Sequence, residues 1–598
     1  MTRHAHPMPF GAQLNDDGVA FRLWAPSRAH AAVLVDGIEC ALEPRAGGWF
    51  ERTVRDARAG SRYAFAFPGV DVRVPDPASR FQPGGVHAPS EVIDPRAYAW
   101  QQSGWRGRPW NEIVLYELHV GTFTPEGTYA AAAARLDALA DLGVTAVELM
   151  PLAQPAGDRN WGYDGVLPFA PQRAYGTPDQ LKAFVDAAHA RGLCVFLDVV
   201  YNHFGPEGNY LHAFAEPFFT DRHHTPWGAA INVDARHAEV VREFFVHNSL
   251  YWLQEYRFDG LRYDAVHEIR DAAPRPFLDE LAARVRAGVE AGREVHLVLE
   301  NDANEARWLD RYDAQWNDDA HHAIHVLTTG ETDGYYRDYA HEPARLLARA
   351  LAEGFAYQGE PSDHRGGATR GEPSAQLPST AFVDFLQNHD QVGNRAFGER
   401  LCALAPVQAV QAATAVLLLA PAIPLLFMGE EWAASTPFLF FADFGRELAL
   451  AVTDGRRREF AAWAAFADPA QRDRIPDPQD PATMRASILR WDERVQPRHA
   501  AMLALHGELL ALRARLIAPR LANGARGEGF TLLGATAFRV TWQLGDGSQL
   551  TLIANLGAQP ATASYAVSGV RIFTLGNVPP NADAAALPPW SAGWFLAS

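Results

Sequence analysis

From about residue 110 onward the chain repeats one pattern, a short apolar or β-branched run followed by a stretch of helical period, and that alternation restricts the folds open to it. The candidate strands are Ile113–His119, Thr145–Met150, Leu193–Val200, Gly260–Tyr263, Val295–Leu299, Ala314–Trp316, Ala381–Leu386 and Pro424–Met428. Between the first two, Thr128–Leu142 carries Ala132, Leu136 and Leu139 at helical spacing. Thr177 and Pro178 read as an N-cap and first helical residue; Leu181, Phe184, Val185 and Ala188 form one apolar face, and Gly192 stops the helix. A longer helix is predicted over Ala238–Tyr256. Leu193–Val200 is apolar almost throughout, as a strand covered on both faces is. Eight strands with mostly helical connections predict a (β/α)8 TIM barrel; a doubly wound sheet is the competing architecture.

The flanks differ from this pattern. In residues 1–108, Gly18–Trp24 alternates apolar and polar positions and stops at Pro26, and Ala31–Val35 ends in the hairpin signal Asp36-Gly37. A small immunoglobulin-like β-sandwich is expected there. Residues 519–598 return to β character in Phe530–Leu533, Ala537–Trp542 and Gln549–Ala554, so a small C-terminal all-β domain is expected. Residues 109–518 are left for the barrel and its loop insertions, among them the long polar loop Gly354–Pro378. Ala409–Met428 is the most apolar stretch, but Pro421 and Pro424 interrupt it and Gln411 lies inside it, so it reads as a buried helix and a buried strand rather than a membrane span. A net charge of −18 argues against a nucleic-acid partner, because phosphate binding needs a basic surface. Cys40, Cys194 and Cys402 are odd in number, widely spaced and without metal or disulfide spacing. Met1–Phe10 has no apolar run of the signal-peptide kind. Together these features predict a cytoplasmic protein with no membrane partner and no bound metal.

In such a barrel the functional groups come from the C-terminal ends of the strands. Four strands here end in carboxylates or polar clusters: Asp198-Val-Val-Tyr-Asn-His203, Arg262-Tyr-Asp264, Glu300, and Gln387-Asn-His-Asp390. Each alone could be a turn, a helix cap or a structural ion pair. Four on one mouth point instead to cleavage of a glycosidic bond, which needs one ionised carboxylate at the anomeric carbon and one carboxyl that starts protonated. Arg262, two residues before Asp264 on the same strand face, favours the ionised form and makes Asp264 the nucleophile. Glu300 is then the general acid/base, raised by neighbouring carboxylates and partial burial. Asp390 is a third carboxylate able to grip sugar hydroxyls, and His203 and His389 are donors suited to ring hydroxyls. In a retaining pair the two carboxyls lie about 5–5.5 Å apart.

These segments, taken in order, resemble the four short motifs of the α-amylase superfamily, with supporting matches in Val147-Glu-Leu-Met-Pro151 and Met428-Gly-Glu-Glu-Trp432. Trp161-Gly-Tyr-Asp-Gly165 supplies Tyr163, which by resemblance stacks under the sugar to be cleaved. Phe21-Arg-Leu-Trp-Ala-Pro26 is similar to the sandwich that precedes the barrel in branching enzymes, debranching enzymes and maltooligosyltrehalose trehalohydrolases. The third-strand loop Asp198–Leu211, the segment Trp316–His322 and the chain end Leu587-Pro-Pro-Trp-Ser591 with Trp594-Phe595 look like the trehalohydrolase family in particular. The resemblance implies catalysis by Asp264, Glu300 and Asp390, and substrate binding by Trp161, Tyr163, His203, Arg262, His267, Asn317, Asp318 and His389. It implies no cofactor. The implied reaction is hydrolysis of the α-1,4 bond beside the terminal trehalose of a maltooligosyltrehalose or related α-glucan; a branching transferase and a non-catalytic glucan-binding protein are the alternatives. Val266-His267 stands where many amylases carry Lys-His, and Tyr263 and Asn301 also depart from the usual pattern. Trp161 and Trp316 read equally as sugar platforms or as packing residues.

Overall fold

The computed structural model describes residues 4–463 and 466–598. Its centre is a closed parallel barrel of eight strands: β1 Leu115–Leu118, β2 Ala146–Leu149, β3 Cys194–Val199, β4 Gly260–Tyr263, β5 His296–Leu299, β6 Ala314–Trp316, β7 Phe382–Phe385 and β8 Ile423–Phe427. Every candidate strand in this region is present, and closure of β8 onto β1 excludes the doubly wound sheet. The barrel interior is packed by Leu115, Ala146, Cys194, Phe196, Val298, Ala314, Trp316, Val383, Phe385, Ile423 and Leu425. Phe196 reaches across to β4, where a Cβ on Gly260 would stand 2.1 Å from its ring, so only glycine fits there.

Strand period sets what lies above this core. Two residues beyond the apolar Leu115, Ala146 and Phe196 come Glu117, Glu148 and Asp198, and two beyond Gly260 comes Arg262, all 2% exposed or less. Four neighbouring strands thus present a layer of ionisable groups just beneath the C-terminal mouth.

The helices follow local signals closely. Pro178–His189 is opened by a capping box in which Thr177 and Gln180 bond each other's main chain. The long helix is Ala238–Gln254, and Val407–Leu419 precedes β8 as a buried helix. Thr128–Leu142 is not one helix but two, Tyr129–Ala133 and Leu136–Leu142, separated where the Arg135 guanidinium turns to lie 4.6 Å over the Trp491 ring. Gly354–Pro378 is not wholly irregular either: Glu360–Pro361 pairs with Thr369–Arg370.

Before the barrel, two four-stranded antiparallel sheets include Gly18–Trp24 and Ala32–Val35, the latter turning at Asp36-Gly37 with positive φ at both residues. After it comes a five-stranded sheet with a separate two-stranded ribbon. Two stacked tryptophans of the large sheet fasten it to the barrel helices: Trp542 Nε1 donates to Leu351 O and Trp594 Nε1 to Ala415 O, each at 2.9 Å. No helix among the described residues is long and apolar enough to cross a membrane.

Asp259, just before β4, ties the entering segment to the barrel. It is fully buried and accepts from Trp105 Nε1 and the Val195 N–H at 3.0 Å, with His189 Nε2 at 2.8 Å. Burial pushes its carboxyl up, but His189, Arg293 and the Val195 N–H outweigh burial and hold it at about 2, below the ordinary 3.8. The stabilisation is therefore complete above the ordinary carboxylate range and is lost as pH falls through about 2. Asp259→Ala is expected to cost about 3–5 kcal/mol at neutral pH. Denaturant melts should show that difference, and show it shrinking as the pH approaches 2.

Candidate active site

Arg262 organises the mouth of the barrel. Its side chain is completely buried, with the guanidinium 4.1 Å above the Trp316 ring. One nitrogen, Nη1, donates to Asp198 Oδ2 and to Asp264 Oδ1, both at 2.7 Å, while Nη2 stands 3.7 Å from Glu300 Oε2. A single planar cation therefore touches the carboxylates at the ends of β3 and β4 and faces the one at the end of β5. Asp264 Oδ2 also accepts from Asn202 Nδ2 at 2.9 Å. Glu300 accepts from the Ala265 N–H, which points at it because Ala265 takes a left-handed conformation, φ 41°.

The two carboxyls are driven in opposite directions. Burial pushes Asp264 up, but Arg262 and the hydrogen bonds from Asn202 and Arg262 hold it below the ordinary value. Burial also pushes Glu300 up, and there it prevails: Arg262 opposes it only from 3.7 Å, and Asp264, Asp318 and Asp390 add to it, leaving Glu300 well above the carboxylate range. One group is poised as an anion and the other as an acid.

Around this pair, Tyr163 is half-buried and its hydroxyl donates to Asp198 Oδ2 at 2.6 Å. Its ring stacks on His389, with centroids 4.8 Å apart and planes 20° apart. Asp390 opens the helix His389–Gly393, capped by Asn388, and its side chain is 43% exposed, so it remains open to a ligand. Asp318 begins the helix Asp318–Thr329 and accepts from Gln391 Nε2 at 3.2 Å; burial, with Asp302 and Asp390, pushes it up to about 7. His267 is half-buried beyond Glu300, and its Nδ1 accepts from the Asp302 N–H at 3.2 Å.

Two expected binding residues, Trp161 and Asn317, lie under the site rather than in it, and a third, His203, stands beside Asp264 with its ring nitrogens already engaged. Trp161 is 4% exposed, stacked on Phe438 at 5.2 Å and hydrogen-bonded to Leu439 O, so its ring supports His389 instead of forming a platform. Asn317 is 1% exposed and its amide joins Gly354 O to Asp384 Oδ1, fastening β6 to β7. His203 has both ring nitrogens engaged within the protein, by Asn202 Oδ1 and by Tyr163 O, while its face stacks on the half-exposed Trp227 at 4.4 Å. Trp316, which the sequence leaves open as platform or packing, is packing: it is the floor beneath Arg262.

Other groups escape a reading by motif. Glu117 sits inside a strand that reads as apolar, and only its period-2 relation to Leu115 marks it as inward-facing; Glu148 falls within a quoted motif, but nothing in that motif marks it as buried beneath the mouth. Arg365 and Arg370, from the polar loop, donate to the Asp302 carbonyl at 2.8 and 2.9 Å and so wall the mouth beside Glu300. Tyr335 lies near Asp390 and Asp318, packed on His322 at 4.9 Å. No local spacing in the loop announces these contacts. Among the described residues no cluster of side chains has the makeup of a metal site.

Comparison with known proteins agrees with this geometry. The model of the α-amylase catalytic domain matches residues 101–228, and that of a C-terminal domain of unknown function, DUF3459, matches residues 525–594. A malto-oligosyltrehalose trehalohydrolase from Deinococcus radiodurans is 44% identical over 513 residues, 85% of this chain and 82% of the relative. One from Brevibacterium helvolum is 36% identical over 591 residues, 96% of this chain and 98% of the relative. A 1,4-alpha-glucan branching enzyme from Jannaschia sp. is 31% identical but spans only 43% of this chain and 40% of its own length. A crystal structure from Salmonella typhimurium, described as an alpha amylase, superposes with a TM-score of 0.91 at 43% identity, covering 98% of this chain and 99% of the other. The chain belongs to the malto-oligosyltrehalose trehalohydrolase family, a group of α-amylase-type glycoside hydrolases.

Proposed function

We propose that the protein hydrolyses the α-1,4-glucosidic bond next to the terminal trehalose of a maltooligosyltrehalose and releases trehalose, by a retaining double displacement. The observation that carries the chemistry is the placing of Asp264 and Glu300 around one guanidinium, at 2.7 and 3.7 Å, which with burial biases the first toward the anion and the second toward the acid. Asp264 attacks the anomeric carbon while Glu300 protonates the departing oxygen. A glycosyl–Asp264 ester and a free sugar hydroxyl result. Glu300, now ionised, takes a proton from water as that water attacks the ester, and both carboxyls return to their starting states. Tyr163 lies under the reacting sugar, Asp390 grips its hydroxyls, and Arg262 keeps Asp264 anionic. The substrate assignment rests on the relatives' names and on their near full-length match, whereas the branching enzyme matches less than half the chain. The three cysteines are free thiols, Cys194 buried and Cys40 and Cys402 partly so, which suits the cytoplasmic setting we assign to the activity.

Incubation with maltooligosyltrehalose should release trehalose. Glucose or maltose without trehalose would exclude this substrate, and new α-1,6 branches on amylose would select the transferase reading. Asp264→Asn should abolish turnover, and Glu300→Gln should lower kcat by about 10²–10⁴-fold. Unchanged turnover in either would remove the site assignment.

The pH dependence has a definite sign. Activity needs Asp264 ionised, so it falls on the acid side below the ordinary carboxylate range, and it needs Glu300 protonated, so it falls on the alkaline side as pH rises through that group's raised value. Asp318→Asn removes one negative charge that holds Glu300 up. It should move the alkaline limb of kcat to lower pH and leave the acid limb in place, as read from rate profiles of the two proteins.

A further inference from the structure

His389 is fully buried within the site. Its Nδ1 lies 2.5 Å from Glu117 Oε1, and its main-chain N–H donates to Glu117 Oε2 at 2.9 Å. One carboxylate on β1 therefore grips both the ring and the backbone of a residue placed just after β7. Because a carboxylate oxygen accepts, Nδ1 must carry the proton. The opposite nitrogen, Nε2, has no hydrogen-bond partner among the described residues and stands 3.4 Å from Asp390 Oδ1. Tyr163 covers one face of the ring, and Trp161 meets it edge to face at 5.7 Å.

We propose that Glu117 is a positioning residue of the active site: it clamps His389 through Nδ1 and the main chain, holds the ring as an imidazolium, and directs the Nε2 proton toward Asp390 and the sugar that Asp390 grips. This rests on the glycosidase reading of the mouth. The titratable and charged groups around the ring are distributed over every neighbouring element. Glu117, Glu148, Asp198 and Arg262 face it from β1 to β4. His119 and Tyr163 follow β1 and β2, and Asp390 shares its helix. Burial and Arg262 work against the charged ring, Asp390 and Glu117 work for it, and the balance lifts His389 to about 9. A ring fixed in this way offers a charge-assisted donor at neutral pH, where an unsupported buried histidine would be neutral.

The test compares the full-length wild type, Glu117→Gln and His389→Gln, with thermal melts to establish that each is folded. In histidine-labelled NMR spectra the His389 resonance is the one missing from His389→Gln. It should titrate near 9 in the wild type and fall below 7 in Glu117→Gln. With maltooligosyltrehalose as substrate, Glu117→Gln should lower kcat by about 10–100-fold with a smaller change in KM, and bring the alkaline limb to lower pH. An unshifted His389 titration in Glu117→Gln overturns the proposal, as does a neutral His389 at pH 7 in the wild type, a result that does not depend on Glu117→Gln folding. Absence of any turnover by the wild type would instead count against the glycosidase reading, while the NMR titration would still decide the role of Glu117.

Discussion

A guanidinium buried without exposure is costly unless carboxylates surround it. Arg262 meets that condition with Asp198 and Asp264 at 2.7 Å and Glu300 at 3.7 Å. The same contacts that make its burial tolerable separate the two candidate catalytic groups into an anion and an acid. Its flat face rests on Trp316, which closes off the apolar interior of the barrel from below. The cation thus sits at the border between a hydrocarbon core and an acidic mouth.

The barrel supplies this border through its pleat. Inward positions alternate, so one step of two residues along β1 to β4 changes Leu115, Ala146, Phe196 and Gly260 into Glu117, Glu148, Asp198 and Arg262. Three of these side chains, Glu117, Asp198 and Arg262, bond one another or the residues above them. Glu117 holds His389, Asp198 holds Tyr163 and Arg262, and Tyr163 stacks on His389. The mouth is therefore supported by a network reaching from β1 around to β7, and the Tyr163–His389 stack is braced from beneath.

What could be read along the chain was whatever depends on near neighbours. Thr177 with Gln180, Asp36-Gly37 and the eight apolar runs are local signals, and the structure uses each as expected. The Thr128–Leu142 stretch forms two helices divided at Ala134–Arg135, where Arg135 lies over Trp491, a residue far away in sequence. Trp161, Asn317 and His203 belong to the right neighbourhood but spend their polar atoms on Leu439 O, Gly354 O and Asp384, and Asn202 and Tyr163 O. A motif reports that a residue is near the site; it does not report which way the side chain is already committed.

By itself the sequence determined the strand and helix order and the carboxylates at the strand ends, because strand period and capping act over a few residues; closure into a barrel rather than a doubly wound sheet came with the tertiary structure. Only the tertiary structure decided the protonation pattern and the support beneath it. Glu300 is raised because burial, Asp264, Asp318 and Asp390 converge on it from other strand ends, and His389 is raised because Asp390 beside it and Glu117 from β1 outweigh burial and Arg262. Electrostatic interactions depend on distance through space and on exclusion of water, and closure of the barrel, which makes β8 the neighbour of β1, is what sets both.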